Sequence, residues 1–373
     1  MPKTIAAAHH YPEVGVPLFW PLGLALGVGE ATLDETDRGL KLIEEFEKTQ
    51  IERPAPQWAT ANRVALDLST FTLRDFSRGE SGTPVFVLPP YAGHTSTIAD
   101  FHEGQSLVAT LLAHGSMRVF AADWKSATPN MRYLDIDSYL AEINVAVDEL
   151  GGRAALVGLC QGGWCAAIYT ARFPHKVARL VVAGSPIDTD AGEGAIKEAA
   201  HNLPMRFYEN LVRSGDGLMR GAFMLEGFKN MHPMEQYVGK FAELYEHVDD
   251  PSYVSRFETF ERWYEHTLDL PGAWYLQVIR ELFKENRLAK GRFTALGRRL
   301  DLKNITCPSW LLAGEHDDIT PKEQVFAAER LFGTPPSDMH KDLAKGGHIG
   351  LFMGRAALDN NWPRIAPWLA AAG

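Results

Sequence analysis

The stretch of residues 154–163 constrains the fold of this chain more than any other. Its apolar run ends in Gly158-Leu-Cys160-Gln-Gly162-Gly163, and helix-forming residues follow directly. This pattern predicts a buried strand that turns sharply into a helix, with Cys160 held at strained backbone angles in the turn as a nucleophile. The glycines leave the room that the turn needs, because a Cβ at those positions would collide with a neighbouring strand or helix. The alternative is a buried, inert Cys160 beside glycines that only help a helix to pack.

Length and charge limit the kinds of partner. The 373 residues can bury a large core, either as one large α/β domain or as a core with an inserted subdomain. The formal net charge is -10 and no block of Lys or Arg stands out, which argues against nucleic acids and anionic membranes as partners. A neutral substrate fits this composition better than a polyanion does.

Cysteine usage indicates the compartment. The three cysteines, Cys160, Cys165 and Cys307, form no framework of paired spacings. An odd number without such a framework is typical of proteins of the reducing cytoplasm. We expect Cys165, on the helix after the turn, and Cys307, just before a strand, to be buried small side chains.

Residues 1–60 are expected to hold an apolar segment and one amphipathic helix. The apolar residues 14–28 are interrupted by Pro17 and Pro21, so they are too short a run to span a bilayer, and no targeting segment is expected. This segment could pack on the body as a hairpin or touch a hydrophobic surface. Apolar residues at helical spacing predict the helix over residues 32–50.

Strands and helices alternate through residues 61–186. An edge hairpin is predicted over residues 62–76, and apolar strands follow at 84–88, 117–122 and 178–183, with helices between them. This alternation predicts the α/β class, with a doubly wound and mostly parallel sheet.

Residues 187–300 interrupt that pattern. They lack strand-like runs and are dense in methionine and aromatic residues, so we interpret them as an inserted helical cap, part of which could line an apolar tunnel. The strand pattern resumes in residues 301–373. The predicted core therefore has two parts, 61–186 and 301–373.

An acid and a histidine are expected after the nucleophile, in that order along the chain. The resumed strand ends in Gly314-Glu-His-Asp317-Asp318, which offers Asp317 as the acid and Asp318 as the alternative. His348 stands among glycines in a loop after the last strand and is the expected base. A base takes the proton of the thiol and an acid orients the base, so Cys160, Asp317 and His348 form the predicted catalytic set.

Two backbone N–H groups are needed to hold the oxyanion that acyl chemistry develops. The N–H of Gln161 follows the nucleophile directly. The second should come from the loop after the 84–88 strand, where Pro89 and Pro90 have no N–H to give. Tyr91 is the expected donor, with Ala92 as the alternative.

Metal and nucleotide motifs are weak in this sequence. Cys160 and Cys165 are not at zinc spacing, and neither H-E-x-x-H nor G-x-x-x-x-G-K-[ST] occurs. Residues 27–32 begin like a dinucleotide-binding fingerprint but lack its third glycine. We expect no cofactor and no metal.

The chain resembles two families of α/β-hydrolase fold that act on polyhydroxyalkanoate (PHA) polyesters. The similarity to PHA synthases rests on Gly158-Leu-Cys160-Gln-Gly162-Gly163, Gly347-His-Ile349, Asn286-Arg-Leu-Ala-Lys-Gly291 and Asp301-Leu-Lys-Asn-Ile305. The similarity to intracellular PHA depolymerases rests on Tyr91-Ala-Gly-His94, Ala122-Asp-Trp124, Gly184-Ser-Pro-Ile-Asp-Thr189, Tyr275-Leu-Gln277, Asp317-Asp-Ile319 and Gly347-His-Ile-Gly-Leu-Phe-Met-Gly354.

The sequence departs from each family at one point. The paired glycines after the cysteine are usual in synthases and unusual in depolymerases of this type. Conversely, synthases usually carry a Trp-Asn-x-Asp segment before a proline, where this chain has Trp263-Tyr-Glu-His-Thr-Leu-Asp-Leu-Pro271.

The resemblance implies an α/β-hydrolase fold and a cytoplasmic ester hydrolase in which Cys160 attacks PHA or its 3-hydroxyacyl oligomers and forms a thioester. The alternative is a synthase-like acyltransferase that uses 3-hydroxyacyl-coenzyme A, and a remoter one is a non-catalytic granule-binding protein.

His94 and Trp124 are candidate substrate contacts, and His94 could instead cap the next helix. Association with a storage granule and formation of a homodimer stay open.

Overall fold

An eight-stranded sheet runs through the larger part of the molecule. The computed structural model describes residues 33–52 and 54–371, so the apolar segment 14–28 lies outside the described residues. The strands, numbered in chain order, are β1 (Arg63–Asp67), β2 (Phe71–Asp75), β3 (Val85–Leu88), β4 (Val119–Trp124), β5 (Ala154–Leu159), β6 (Val177–Ala183), β7 (Ser309–Gly314) and β8 (Met339–Ala344).

The strands lie in the order β1-β2-β4-β3-β5-β6-β7-β8. β2 pairs antiparallel with both β1 and β4, whereas every pairing from β4 through β8 is parallel. The parallel strands therefore end at one edge of the sheet, where open α/β sheets form their sites. The predicted edge hairpin and the mostly parallel sheet are confirmed.

The central strands are buried on both faces. β3, β5 and β7 have no exposed position, because helices cover both sides of the sheet, and this is why they are continuous apolar runs in the sequence. The edge strand β1 is exposed at Arg63, Val64 and Asp67 and half-buried at the two residues between Val64 and Asp67.

The helices, also numbered in chain order, are α1 (Leu33–Phe46), α2 (Leu107–Ala113), α3 (Ile136–Glu149), α4 (Gln161–Arg172), α5 (Ala195–Asn202), α6 (Met205–Ser214), α7 (Gly221–Lys229), α8 (Lys240–His247), α9 (Pro251–Glu265), α10 (Gly272–Gln277), α11 (Lys322–Phe326), α12 (Ala328–Leu331), α13 (Gly350–Met353), α14 (Arg355–Asn360) and α15 (Trp362–Ala370). Short π-helical segments occur at Glu47–Glu52, Glu235–Gly239 and Val278–Lys284. Among the described residues, no helix has the length and apolar character that crossing a membrane requires.

The helix α3 begins at Ile136, directly after its N-cap residue. Asp135 Oδ1 accepts a hydrogen bond from the N–H of Ser138 at 3.0 Å, so Asp135 is the N-cap. Asp137, in the first turn of α3, accepts from the N–H of Leu296 at 2.9 Å. That bond ties α3 to a loop much later in the chain.

Residues 187–300 are mainly helical, but the expectation that they lack strands is wrong in detail. Leu218–Met219 pairs with Leu270–Pro271, and Thr294–Ala295 pairs with Arg298–Arg299. Each of these strands has two residues, which is too short to leave an alternating pattern in the sequence.

The chain divides into two compact units. The larger unit, residues 54–228 and 262–373, contains the sheet and many of the helices predicted as a cap. The domain boundaries predicted from the sequence, at residues 60, 186 and 300, stay predictions.

The smaller unit contains the described residues 33–52 and 229–261. Leu42 of α1 is fully buried in a small cluster with Phe241 and Leu244 of α8. Arg38 fixes the same pair of helices by donating to the carbonyl oxygen of Tyr245 at 2.8 Å. The amphipathic helix predicted over residues 32–50 is confirmed from Leu33 onward.

Candidate active site

Cys160 occupies the turn between β5 and α4. Its φ of 50° and ψ of -117° lie in a region that side-chain-bearing residues rarely adopt, which confirms the strained conformation expected from the sequence. Two backbone hydrogen bonds hold the turn: the N–H of Cys160 donates to the carbonyl oxygen of Ala183 at 2.8 Å, and that of Gly163 donates to the carbonyl oxygen of Cys160 at 2.9 Å.

Three glycines make this turn sterically feasible. A Cβ at Gly158 would lie 2.3 Å from the Cα of Gly163, and one at Gly162 would lie 1.8 Å from the carbonyl oxygen of Leu88. A Cβ at Gly163 would lie 2.5 Å from the Cβ of Ser185. The paired glycines after the cysteine are therefore required by the close packing of α4 against the ends of β3 and β6.

His348 and Asp317 are joined at the same edge of the sheet. His348 Nδ1 donates to Asp317 Oδ2 at 2.7 Å, and both side chains are buried. Asp317 Oδ1 accepts from the backbone N–H groups of Ile319 at 3.1 Å and Thr320 at 2.8 Å. Asp318 is exposed to solvent, so the geometry favours Asp317 as the partner of the histidine.

Cys160 lies beside this pair. Its backbone N–H is bonded to Ala183, next to the Gly184 against which His348 packs. Because Nδ1 of the ring is bonded to Asp317, Nε2 is the nitrogen left for the sulfur. Burial opposes a charged ring, but the proximity of Cys160 and Asp317 and the hydrogen bond to Asp317 raise the pKa of His348 well above 6.5. The bond to Asp317 therefore favours the protonated form of the ring.

The histidine loop is packed tightly against the end of β6. Gly184 has a φ of 56°, and a Cβ there would lie 2.8 Å from Leu351 and 3.3 Å from His348. Phe352 contacts the imidazole edge-on, with ring centroids 5.3 Å apart. These contacts leave the His348 ring little freedom to turn away from the sulfur.

The loop after β3 lies beside the cysteine turn, as expected for an oxyanion donor. Leu88 pairs with Gly158 in the parallel register of β3 and β5, so Tyr91 follows at the same edge. The side chain of Tyr91 is buried, and burial raises the pKa of its phenol. The roles of the Gln161 and Tyr91 N–H groups stay predictions.

Trp124, a candidate substrate contact, is a core residue. Its indole N–H donates to the carbonyl oxygen of Pro89 at 2.9 Å, and its ring packs on Tyr91 at 5.6 Å and Phe71 at 5.2 Å. This position favours support of the Tyr91 loop over contact with a substrate.

His94, the other candidate contact, is enclosed by aromatic rings. It stacks on Trp263 at 4.8 Å and Tyr264 at 5.2 Å, and Phe228 lies at 5.9 Å. Its Nε2–H donates to the carbonyl oxygen of Tyr264 at 3.1 Å. Thr95, without a side-chain capping bond, occupies the N-cap position of the short helical turn that follows. The His94 ring therefore joins two segments of the chain instead of capping that turn.

The other two cysteines lie in apolar surroundings. Cys165 is buried on α4, and burial raises the pKa of its thiol to about 12. Burial likewise raises the pKa of Cys307 to about 11, although that residue keeps more exposure. Both are poor nucleophiles at neutral pH, in line with the expectation that they are packing residues.

Sequence reasoning missed the groups that surround Tyr91. Tyr139 donates its hydroxyl hydrogen to the Tyr91 hydroxyl at 3.0 Å, and the Tyr91 hydroxyl contacts the carbonyl oxygen of Asp269 at 3.3 Å. Neither partner is near Tyr91 in the sequence, and no motif connects them. Only the folded chain brings them together.

Known proteins resemble this chain in sequence and in fold. The poly(3-hydroxyalkanoate) polymerase subunit PhaC of Haloferax mediterranei is 28% identical over 280 residues, which cover 73% of this chain and 56% of that protein. The PhaC subunit of Synechocystis is 26% identical over 372 residues, 97% of each chain. This chain thus spans little more than half of the Haloferax protein and nearly all of the Synechocystis one. The expected resemblance to PHA polymerases is confirmed.

A solved structure shows the fold. The monoacylglycerol lipase of Paleococcus ferrophilus superposes with a TM-score of 0.51 at 18% identity, over 81% of this chain and 99% of the lipase. Together with the strand order, this likeness confirms the predicted α/β-hydrolase fold.

One protein family covers most of the core. The family described as "Protein of unknown function (DUF3141)" matches residues 67–329, well over half of the chain, including Cys160 and Asp317. The chain belongs to the DUF3141 family.

Proposed function

We propose that this protein is an acyltransferase of the PHA-polymerase type, which takes a 3-hydroxyacyl group from a coenzyme A thioester and passes it to a hydroxyl at the end of a polyester. The observation that carries the proposal is the buried hydrogen bond from His348 to Asp317, at the sheet edge where a strained turn holds Cys160. A sulfur on a strained turn, a protonated imidazole and an orienting carboxylate are the parts that covalent acyl transfer needs.

The first half of the reaction forms a thioester on Cys160. The sulfur, having given its proton to His348 Nε2, attacks the carbonyl carbon, and the electron pair of the carbonyl moves onto its oxygen. The N–H groups of Gln161 and Tyr91 receive this oxyanion. When the electron pair returns, the bond to the coenzyme A sulfur breaks, and His348 protonates that sulfur as it leaves.

The second half transfers the acyl group. His348, now neutral, takes the proton of a chain-end hydroxyl, whose oxygen attacks the thioester carbonyl. Collapse of the second oxyanion forms the new ester and releases the Cys160 sulfur, while the proton stays on His348. The polyester is longer by one unit, and the enzyme has returned to its starting state.

The acceptor separates transfer from hydrolysis. The relatives named above are polymerases, and the paired glycines after Cys160 agree with synthases. We therefore favour acyl transfer over hydrolysis, although the sequence alone favoured hydrolysis.

Hydrolysis of PHA or its oligomers is the second candidate. It is favoured by the Tyr91–His94 and His348 segments, which resemble depolymerases, and by Trp263-Tyr-Glu-His266, where synthases carry Trp-Asn-x-Asp. In this reaction water takes the place of the chain hydroxyl, and the product is a free 3-hydroxy acid.

Two parallel incubations test the choice. The protein is supplied with 3-hydroxybutyryl-coenzyme A in one and with amorphous poly(3-hydroxybutyrate) in the other. Release of coenzyme A together with polymer supports transfer, whereas soluble hydroxy acid from the polymer with no polymer growth overturns it in favour of hydrolysis. Cys160→Ala is the control, and it should show neither activity because it lacks the nucleophile.

A granule-binding protein without catalysis is the remaining alternative, and it predicts an ordinary thiol. The rate at which iodoacetamide alkylates Cys160 at about pH 6 distinguishes such a binding protein from an enzyme. A thiolate paired with an imidazolium reacts far faster than a free thiol at that pH. A rate no faster than that of a simple thiol, with no acyl transfer, would support the binding protein.

A further inference from the structure

The phenol of Tyr91 joins three parts of the larger unit. Its hydroxyl lies 3.1 Å from the carbonyl oxygen of Lys125, just after β4, and 3.3 Å from that of Asp269, so its hydrogen is shared between them. The hydroxyl oxygen accepts from Tyr139 of α3 at 3.0 Å. The side chain is only 2% exposed, so these bonds are shielded from water.

The loop that carries Tyr91 also pairs with the segment that contains Asp269. The N–H of Leu268 donates to the carbonyl oxygen of Gly93 at 2.8 Å, and His94 forms an isolated antiparallel bridge with Thr267. Residues 91–94 and 264–269 therefore run side by side.

The helix α7 rests on the same loop. Gly93 has a φ of 91°, and a Cβ there would lie 3.2 Å from the Cβ of Met224. Asp269 fixes the start of this helix, because its carboxylate accepts from Arg220 at 2.7 Å and from the N–H of Gly221 at 2.9 Å. Asp269 thus contacts α7 through its side chain and Tyr91 through its carbonyl oxygen.

We propose that the Tyr91 phenol is a positioning group for the oxyanion hole. In this proposal, the packing of residues 264–269 against the Tyr91 loop and the correct placement of the Tyr91 N–H depend on each other and occur together. This inference rests on the proposed function, in which that N–H receives the oxyanion. When the phenol hydroxyl is lost, the loop keeps its packing but loses its shared anchor to Lys125 and Asp269. The backbone N–H of Tyr91 is then displaced from the position in which it can bind the oxyanion of the transition state.

The variant Tyr91→Phe isolates this contribution. Phenylalanine keeps the ring that packs on Trp124, Tyr139 and Trp274, and the Asp269 carbonyl keeps its bond from the N–H of Ala127 at 2.8 Å. The probe is 4-nitrophenyl butyrate, whose nitrophenolate burst reports acylation of Cys160 whatever the natural acceptor. We expect acylation to fall about 10- to 100-fold, since misplacing a catalytic group by about 1 Å costs on the order of 10²-fold.

A second readout separates positioning from general damage. Iodoacetamide alkylates the sulfur by displacement and develops no oxyanion, so its rate should stay within about twofold of wild type in Tyr91→Phe. Equal acylation in the variant and the wild type would overturn the inference, and so would a parallel loss of acylation and alkylation. Absence of acylation in the wild type, with both this ester and 3-hydroxybutyryl-coenzyme A, would instead overturn the proposed function and the inference with it.

Two further variants guard against misfolding. Tyr91→Phe leaves the buried Tyr139 hydroxyl without its hydrogen-bond acceptor, which itself costs stability. The double variant Tyr91→Phe/Tyr139→Phe removes that unsatisfied hydroxyl and should show the same acylation defect. Tyr169→Phe is the matched control, because it removes a phenol bond of 3.1 Å to Asn144 elsewhere in the same core and should acylate at the wild-type rate. A defect that disappears in the double variant would contradict the inference.

Discussion

His348 Nδ1 lies 2.7 Å from Asp317 Oδ2, and both groups are buried at the carboxyl edge of the sheet. This bond occupies Nδ1 and leaves Nε2 as the nitrogen that can act on Cys160. The Asp317 carboxylate also raises the pKa of the ring and so favours its protonated form. The adjacent carboxylate, Asp318, is exposed. The pair Asp317 and Asp318 thus provides a matched comparison on one loop.

Replacing Asp317 with asparagine should leave the loop in place but remove the charge that orients and stabilises the imidazolium. We expect the acylation rate of Asp317→Asn to fall roughly 10²- to 10⁴-fold. Asp318→Asn should stay close to wild type in the same nitrophenyl ester assay. Equal losses in the two variants would show that the acid has been assigned to the wrong carboxylate.

The raised pKa of His348 makes stability depend on pH with a defined sign. Because folding favours the protonated ring, its contribution is fully present below the unfolded pKa of about 6.5 and is lost as the pH rises through the higher folded pKa. The difference in free energy of unfolding between wild type and His348→Gln should therefore shrink between about pH 6 and about pH 9. Urea titrations at both pH values measure it, and a difference that grows with pH would contradict the proposed charge state.

Gly162 should tolerate no side chain. A Cβ there meets the backbone oxygen of Leu88 at 1.8 Å, and neither side can move without breaking the sheet, so Gly162→Ala should cost roughly 3 kcal/mol or more. Gly227→Ala is the control, since Gly227 lies in α7 with no atom near its added Cβ. That change should stabilise by ~0.5–1 kcal/mol. Denaturant midpoints that move together in both variants would refute the packing argument.

Asn286, in a segment that resembles synthases, has a structural position. Its side chain is buried and donates to Asp188 Oδ1 at 2.7 Å, and Arg330 pairs with the same carboxylate. Asn286→Ala should cost about 1–3 kcal/mol of stability without changing the alkylation rate of Cys160. A normal stability with slowed alkylation would place Asn286 in the reaction instead.

Local chemistry explains what could be predicted from the sequence. A strand, a tight turn and a helix follow directly from residues 154–163, because the glycines and the apolar run act over a few positions. The order of Cys160, Asp317 and His348 along the chain placed all three at the same sheet edge once a parallel sheet was assumed. The mostly parallel sheet with an antiparallel edge hairpin is the topology that the sequence predicts.

Distant contacts explain what could not be predicted. The bond from Tyr91 to Asp269 joins residues far apart in the chain, and the stacking of His94 on Trp263 depends on how two segments pack. Trp124 is a candidate substrate contact in the sequence, but in the structure its indole N–H is bonded to the carbonyl oxygen of Pro89. Burial and pairing of this kind depend on the tertiary fold, and no spacing in the sequence records them.

The most direct test of the central claim is the intact mass of the protein after incubation with 3-hydroxybutyryl-coenzyme A, followed by peptide mapping at low pH to preserve a thioester. The account predicts one 3-hydroxybutyryl group on the peptide that contains Cys160, its absence in Cys160→Ala, and slower formation in Asp317→Asn. An acyl group on another residue, or coenzyme A release that persists in Cys160→Ala, would contradict it.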